Sequence, residues 1–172
     1  MAPPDVTNRP DPELREPLSE AAAAARVQAL CGDRDRAVVF LTTVANPFGN
    51  GQESIDIYAD NHDYEYWLTA AHGRIIQASP RAGLHQTAHA NGQAERRSVK
   101  ELRDQALTLA EAQRPGFIER LSEYHPYEEN RRGNLYLFRW ELGTPPDSTE
   151  IPPFIQVGLF ADGTLACFTD AL

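Results

Sequence analysis

The sequence predicts an α+β protein of two tandem units, each a helix followed by an antiparallel sheet. Three observations carry that reading. Apolar residues at helical spacing occur twice at one constant offset, first as Ala23, Val27, Leu30 and Cys31 and then as Leu102, Ala106, Leu109 and Ala110. Each set is followed by short runs rich in β-branched and aromatic residues. Each half closes on a hairpin with Gly at the turn, Ala71-His72-Gly73-Arg74 and Ala161-Asp162-Gly163-Thr164. Helices segregated from antiparallel strands give the α+β class.

The first helix starts at Ser19, a residue whose hydroxyl can accept from the first free amides, and stops at Gly32. Residues Ala37 to Ala45 are β-branched and aromatic, Glu53 to Ala59 alternates Ile55 and Ile57 with polar neighbours, and Tyr64 to Ala70 alternates again. Asn46-Pro47 with Gly49-Asn50-Gly51, and then Asp60 to Asp63, break these runs, and Arg74 to Ala78 returns as a fourth strand. Ser98-Val99-Lys100-Glu101 is a capping box that opens the second helix, which Arg114-Pro115-Gly116 ends. Phe117 to Tyr124 fits a strand or a short helical extension, with the strand slightly favoured. In Asn134 to Leu142, Tyr136, Phe138, Trp140 and Leu142 share one face and Leu135 and Leu137 the other, which predicts a central strand. Gly143 to Pro153 is a Pro-rich excursion before the closing hairpin of Phe154 to Phe160 and Thr164 to Thr169. The resulting division is a Pro-rich tether over 1–17, a first unit over 18–80, a connector over 81–97 and a second unit over 98–172.

Composition excludes some function classes. A formal charge of −9 over 172 residues repels phosphate backbones and anionic lipid, so nucleic acid is not an expected partner. No apolar run is long enough to cross a bilayer. The first residues lack the basic and apolar stretches of a secretory signal and carry five prolines up to Pro17. That composition suits an extended tether of the kind that often follows a removed signal or anchor. Cys31 and Cys167 could clamp the halves as a disulfide, but two separate thiols are the preferred reading, since free Cys packs as a small hydrophobe.

The run Tyr64-Glu65-Tyr66-Trp67-Leu68-Thr69-Ala70-Ala71-His72-Gly73-Arg74-Ile75-Ile76 resembles the closing hairpin of the PepSY domain, a module of bacterial peptidase propeptides and cell-envelope proteins. The pattern there is an aromatic-rich strand, a small or acidic residue, Gly, a basic residue and two aliphatics. The second half, through Leu137-Phe138-Arg139-Trp140 to Val157-Gly158-Leu159-Phe160-Ala161-Asp162-Gly163, is similar to related repeats of the YpeB type. Together these cover most of residues 18 to 170. The resemblance implies a cystatin-like topology repeated in tandem, and a non-catalytic role outside the cytoplasm, at the cell envelope, as an inhibitory, chaperoning or protein-binding module beside a protease or cell-wall enzyme. It brings no catalytic residues. The chain departs from the pattern in His72, where an acid is common, in having no attached peptidase domain, and in the Gly143 to Pro153 insert.

Chemistry-bearing motifs are sparse. His85 and His89 are four apart, a spacing that lets two imidazoles on one helix face share a Zn²⁺, and His62, Asp60, Asp63 and His72 could complete a site if the loops converged. Gln86 cannot supply the carboxylate base of an H-E-x-x-H motif, so two solvated histidines are preferred and no metal or cofactor is expected. There is no nucleophile elbow, and Gly49-Asn50-Gly51 lacks the Gly and Lys of a phosphate loop. The binding candidates are aromatic: Tyr58, Trp67, Tyr124, Tyr127 and Trp140 combine large contact area with a polar tip, although most rings on strands belong to a core. Tyr124-His125-Pro126-Tyr127 reads as a surface loop and a contact site. The expected function is therefore a non-enzymatic module that docks a protein or peptide on a sheet edge or in the groove between the halves. The alternatives are a small-ligand module with a cystatin-like or NTF2-like pocket, separated from the first by whether the helix fills the concave face, and a metal-dependent enzyme using the histidines.

Overall fold

Ser19 opens the first helix as its sequence requires: its hydroxyl accepts from the Ala22 amide at 3.3 Å, and α1 (Glu20–Cys31) ends on Gly32, whose φ of 68° favours a residue without a side chain. The computed structural model describes residues 16–48, 53–82, 96–131, 134–143 and 151–172. Most of the expected tether and connector, Gly49-Asn50-Gly51 and the middle of the 143–153 excursion lie outside them. After α1 come β1 (Val38–Ala45), β2 (Ser54–Asp60), β3 (Tyr64–Thr69) and β4 (Ile75–Pro80), paired antiparallel in chain order. The β3–β4 turn places Gly73 at φ 62°, where a Cβ would stand 3.1 Å from Leu18. Leu18 is itself held by the Asp56 carboxylate, which accepts its amide at 3.2 Å, and by the Tyr58 hydroxyl, which donates to its carbonyl.

The second helix, α2 (Val99–Gln113), carries the complete capping box: Ser98 Oγ accepts from the Glu101 amide at 3.3 Å, and the Glu101 carboxylate accepts from the Ser98 amide at 2.8 Å. It is followed by β5 (Tyr124–Arg131), β6 (Leu135–Leu142), β7 (Phe154–Phe160) and β8 (Leu165–Asp170), also paired in chain order. Residues between α2 and β5 form turns and a short 3₁₀ segment, Leu121–Glu123, rather than the favoured strand. The reason is local: the Glu111 carboxylate accepts from the Gly116 and Ile118 amides at 2.8 Å each, which curls the chain and buries Phe117 against Tyr124 and Trp140.

The expectation of two tandem helix-plus-sheet units with cystatin-like topology is overturned. The described residues form mostly one eight-stranded antiparallel sheet in the order β1-β2-β3-β4-β8-β7-β6-β5, with two α-helices. β4 is hydrogen-bonded to β8, with Gln77 opposite Thr169 and Ala78 opposite Phe168, so the closing strands are the middle of one sheet. Two open edges are thereby removed. Ala23, Val27 and Leu30 of α1 and Leu102, Ala106 and Ala110 of α2 belong to a single core with Tyr58, Tyr66, Leu68, Phe138, Val157 and Phe168 from both sets of strands. The strand predicted to be central, β6, lies one in from the edge, between β5 and β7.

Alternation sends other residues to the sheet's opposite face. Ile55, Ile57 and Ile76 cluster there with Val44 and Trp67, and Leu135, Leu137, Phe160, Ala166 and Cys167 form a second group. Between β7 and β8 on this face, a Cβ at Gly158 would lie 2.6 Å from Cys167 Sγ and 2.9 Å from Leu137 Cδ2. Gly158→Ala is expected to cost ~1–3 kcal/mol by overpacking, with part of that recovered by Cys167→Ala in the same chain, measured by urea denaturation of the four-member cycle.

The β4–β8 seam has an ionic lock. Asp170, whose side chain is fully buried, accepts from Arg74 Nη1 at 2.8 Å and from Arg114 Nε and Nη2 at 3.2 and 3.1 Å. Arg74 leads into β4 and Arg114 caps α2, so one carboxylate ties two strands and a helix. Asp170→Ala is expected to destabilise the protein by roughly 2–4 kcal/mol, less than a wholly buried pair because both guanidinium groups reach solvent, as read by a lowered urea midpoint.

Candidate binding edges

With β4 joined to β8, the sheet's outer strands are β1 and β5. They are built differently. β5 runs eight residues in unbroken register against β6, from Tyr124 opposite Leu142 to Arg131 opposite Leu135. Pro126 sits within it, and proline is accommodated where one side of a strand needs no ladder partner. The Tyr124-His125-Pro126-Tyr127 segment, expected as a loop, is thus the start of an edge strand. Tyr124 points to the core and is 6% exposed, while Tyr127, opposite Arg139, is 55% exposed.

Beside β5 a cleft of about 220 Å³ is lined by Val99 at the start of α2, by Glu128, Glu129 and Asn130 of β5 and by Tyr136, Leu137 and Phe138 of β6. It is below the volume of a drug-sized pocket and suits one side chain. Arg103 of α2 holds the Glu128 carboxylate, with Nη2 to Oε2 at 2.8 Å, and this bond keeps the Glu128 carboxyl below its ordinary range. Glu129 is paired in turn with Arg131 at 3.0 Å, and Arg139 with Glu141 at 2.7 Å, the Arg139 guanidinium lying 3.7 Å from the centre of the Phe154 ring. Apolar floor and charged rim sit side by side along this edge.

The other aromatic candidates are placed in packing rather than on this edge. Tyr58 and Trp140 are 0% and 5% exposed, in the core beneath the helices. Trp67 lies on the opposite face against the isoleucine cluster, its Nε1 donating to Glu65 at 2.6 Å and its ring 6.2 Å from Phe48. Among the described residues the helix-covered face is filled by α1, α2 and the rings of Tyr58 and Trp140.

A second polar centre lies under the end of α1. Asp60, fully buried at its side chain, accepts from Arg36 Nη1 at 2.7 Å and from the Tyr66 hydroxyl at 2.8 Å, while its other oxygen accepts the His62 and Tyr64 amides at 2.9 Å. Cys31 Sγ stands 3.6 Å from the Tyr66 hydroxyl. Burial raises the Cys31 thiol and the Tyr66 phenol above their ordinary ranges, so neither is poised as a nucleophile. These groups fix the β2–β3 turn and are saturated by one another. The cysteines are unbridged and sit in different clusters, Cys31 against the helix-side core and Cys167 on the opposite face.

His85 and His89 lie outside the described residues. His62 and His72 are exposed at turns, and among the described residues no group of three or more His, Cys, Asp or Glu side chains gathers as a metal site. No described helix is long and apolar enough to cross a membrane. Sequence reasoning missed the buried roles of Asp60 and Asp170 and the edge role of β5. Asp60 followed by Asn61-His62-Asp63 does carry an Asx-turn signal, and a proline inside a strand-like run points to an edge.

No family model matches the chain and no curated protein matches it. A solved structure does. In fold, the chain is similar to the C-terminal domain of YpeB from Bacillus megaterium. The TM-score is 0.55 at 10% identity, the match covers 91% of this chain, and the chain spans 65% of that one. At that identity the likeness is one of fold, and it agrees with the PepSY-like resemblance drawn from the Tyr64–Ile76 and Leu137–Gly163 segments.

Burial pushes the Cys167 thiol up from 9.0 to about 11. The native state therefore keeps a proton that the unfolded chain releases, so its contribution to stability is complete below pH 9 and is lost as pH rises through 11. The urea midpoint is expected to fall between pH 8 and 11, by an amount equivalent to about 2 kcal/mol from this group, and to fall less in Cys167→Ala.

Proposed function

We propose that the chain is a non-catalytic binding or regulatory module, acting outside the cytoplasm, that takes an extended segment of a protein or peptide along β5. The observation that carries this reading is the pairing of an unbroken eight-residue edge with an adjoining side-chain-sized cleft. An added strand obtains affinity from backbone hydrogen bonds and selectivity from pockets for alternate side chains. On β5 the two faces differ in the way such selectivity needs: Val99, Tyr136 and Phe138 on the helix side, and Tyr127 with Arg139 on the other. The filled helix-side face favours this over a small-ligand module. The PepSY-like fold supports a partner among proteases or cell-wall enzymes, and the charge of −9 favours basic over acidic segments.

The test is capture from an envelope extract by the immobilised full chain, with identification of the retained protein and titration of its purified form. Tyr127→Ala is expected to weaken that binding roughly tenfold or more, since tyrosine anchors at interface centres contribute in this range, while stability stays within about 0.5 kcal/mol. Equal binding by the parent, Tyr127→Ala and Tyr127→Lys, or no capture at all, would count against β5 as the site.

A further inference from the structure

Val99 is the first residue of α2, is 42% exposed and joins none of the apolar clusters among the described residues. Acidic or polar residues suit an exposed first turn, at the positive end of the helix dipole. Here the position is apolar. Val99 lines the cleft of about 220 Å³ together with Tyr136 and Phe138 of β6, and Asn130 and Glu128 stand opposite those two rings on β5.

We infer that this cleft selects a large apolar or aromatic side chain on the segment that pairs with β5, which rests on β5 being the docking edge proposed above. Strand geometry sets the size. An added strand lies one spacing beyond β5 and two from β6, roughly 10 Å in all. Short side chains end over β5 itself, whereas aromatic and long ones reach across it towards Val99 and the β6 rings. Charge removes the long polar alternatives. Glu128 is held by Arg103 and Glu129 by Arg131, each carboxylate facing two nitrogens of a guanidinium. A lysine or arginine entering the cleft finds both acids paired already. An aspartate or glutamate finds both guanidinium groups engaged, on a chain of net charge −9. An ion of either sign would give up water against apolar walls with no partner to replace it. An apolar occupant carries no such penalty, and it removes Val99, Tyr136 and Phe138 from water. Its neighbours along the same segment point to the other face, alongside Tyr127, so the requirement falls on one position of the alternation.

Selection of a phage-displayed random peptide library on the immobilised full chain, followed by titration of the enriched sequences as synthetic peptides, tests this. The expected result is a set of sequences that share one large apolar or aromatic position and lose binding in Tyr127→Lys. Changing that peptide residue to Ala or Lys is expected to weaken binding roughly tenfold or more, the range for burying one such side chain. Val99→Glu, at a first-turn position that accepts an acid, is expected to weaken the apolar peptide by a similar factor and to strengthen its Lys version, with an unchanged far-ultraviolet spectrum. General loss of structure would not produce that crossover. Peptides that depend on Tyr127 but share no apolar position, carry Lys or Arg there, or bind Val99→Glu as well as the parent overturn the inference while leaving β5 as the edge. No enrichment, or binding indifferent to Tyr127→Lys, removes the proposed function and this inference with it.

Discussion

The fold depends on one seam, where β4 meets β8, and on the carboxylate that fixes it. Register between these strands extends over Gln77–Thr169 and Ala78–Phe168, a short ladder to join two four-stranded meanders. Asp170, one residue beyond, adds Arg74 and Arg114 to the seam, and the Tyr64 hydroxyl reaches the carbonyls of Leu165 and Ala166 at 3.3 Å. Burying a carboxylate is unfavourable unless its lone pairs are filled, so the Asp170 cluster gains little over an apolar seam of the same shape, although removing one of its members is costly. The effect of Asp170 is selective: pairings that leave it without two guanidinium groups carry an uncompensated buried charge. Phe168 and Ala78 supply the apolar contact, and the ionic lock excludes the alternatives.

Once that seam forms, the locations open to function narrow. The helix side is filled by a core drawn from both helices and all the strands around it. The opposite side holds Ile55, Ile57 and Ile76 at one end and Leu135, Leu137 and Phe160 at the other, all below a tenth exposed. Buried acids that would draw attention in a search for chemistry are already saturated: Asp56 by Thr43 and the Leu18 amide, Asp60 by Arg36 and Tyr66, Asp170 by two arginines. The outer strands are where unpaired backbone groups and exposed apolar side chains coincide.

Much of the local structure was legible in the sequence because its causes are local. Ser19 and Ser98 cap their helices through neighbours three residues away, Gly32 and Gly73 occupy left-handed conformations, and Tyr136, Phe138, Trp140 and Leu142 share a face by alternation alone. The joining of β4 to β8 has no such cause. Its partners are distant in sequence, its ladder is short, and Arg74, Arg114 and Asp170 look like ordinary surface charges until the topology brings them together. For β5, Pro126 and the charged Glu128-Glu129 pair lower strand propensity, and the pairing with β6 overrode it. Phe117 to Tyr124 failed differently, because the Glu111 carboxylate competes for the amides a strand would use.

The two edges then differ for a reason that begins in composition. β1 is neutral and β-branched, which makes it the better strand former and the more hazardous edge, and it comes with a bulge and a carboxylate on its backbone. β5 is charged and interrupted by proline, which makes it the poorer strand former and the safer edge. Selectivity follows the same division. A neutral strand can discriminate only by shape and by the absence of repulsion. A strand flanked by Arg103–Glu128 and Arg131–Glu129 pairs and a side-chain-sized cleft can discriminate by charge and by pocket, which is what recognition of a foreign segment requires.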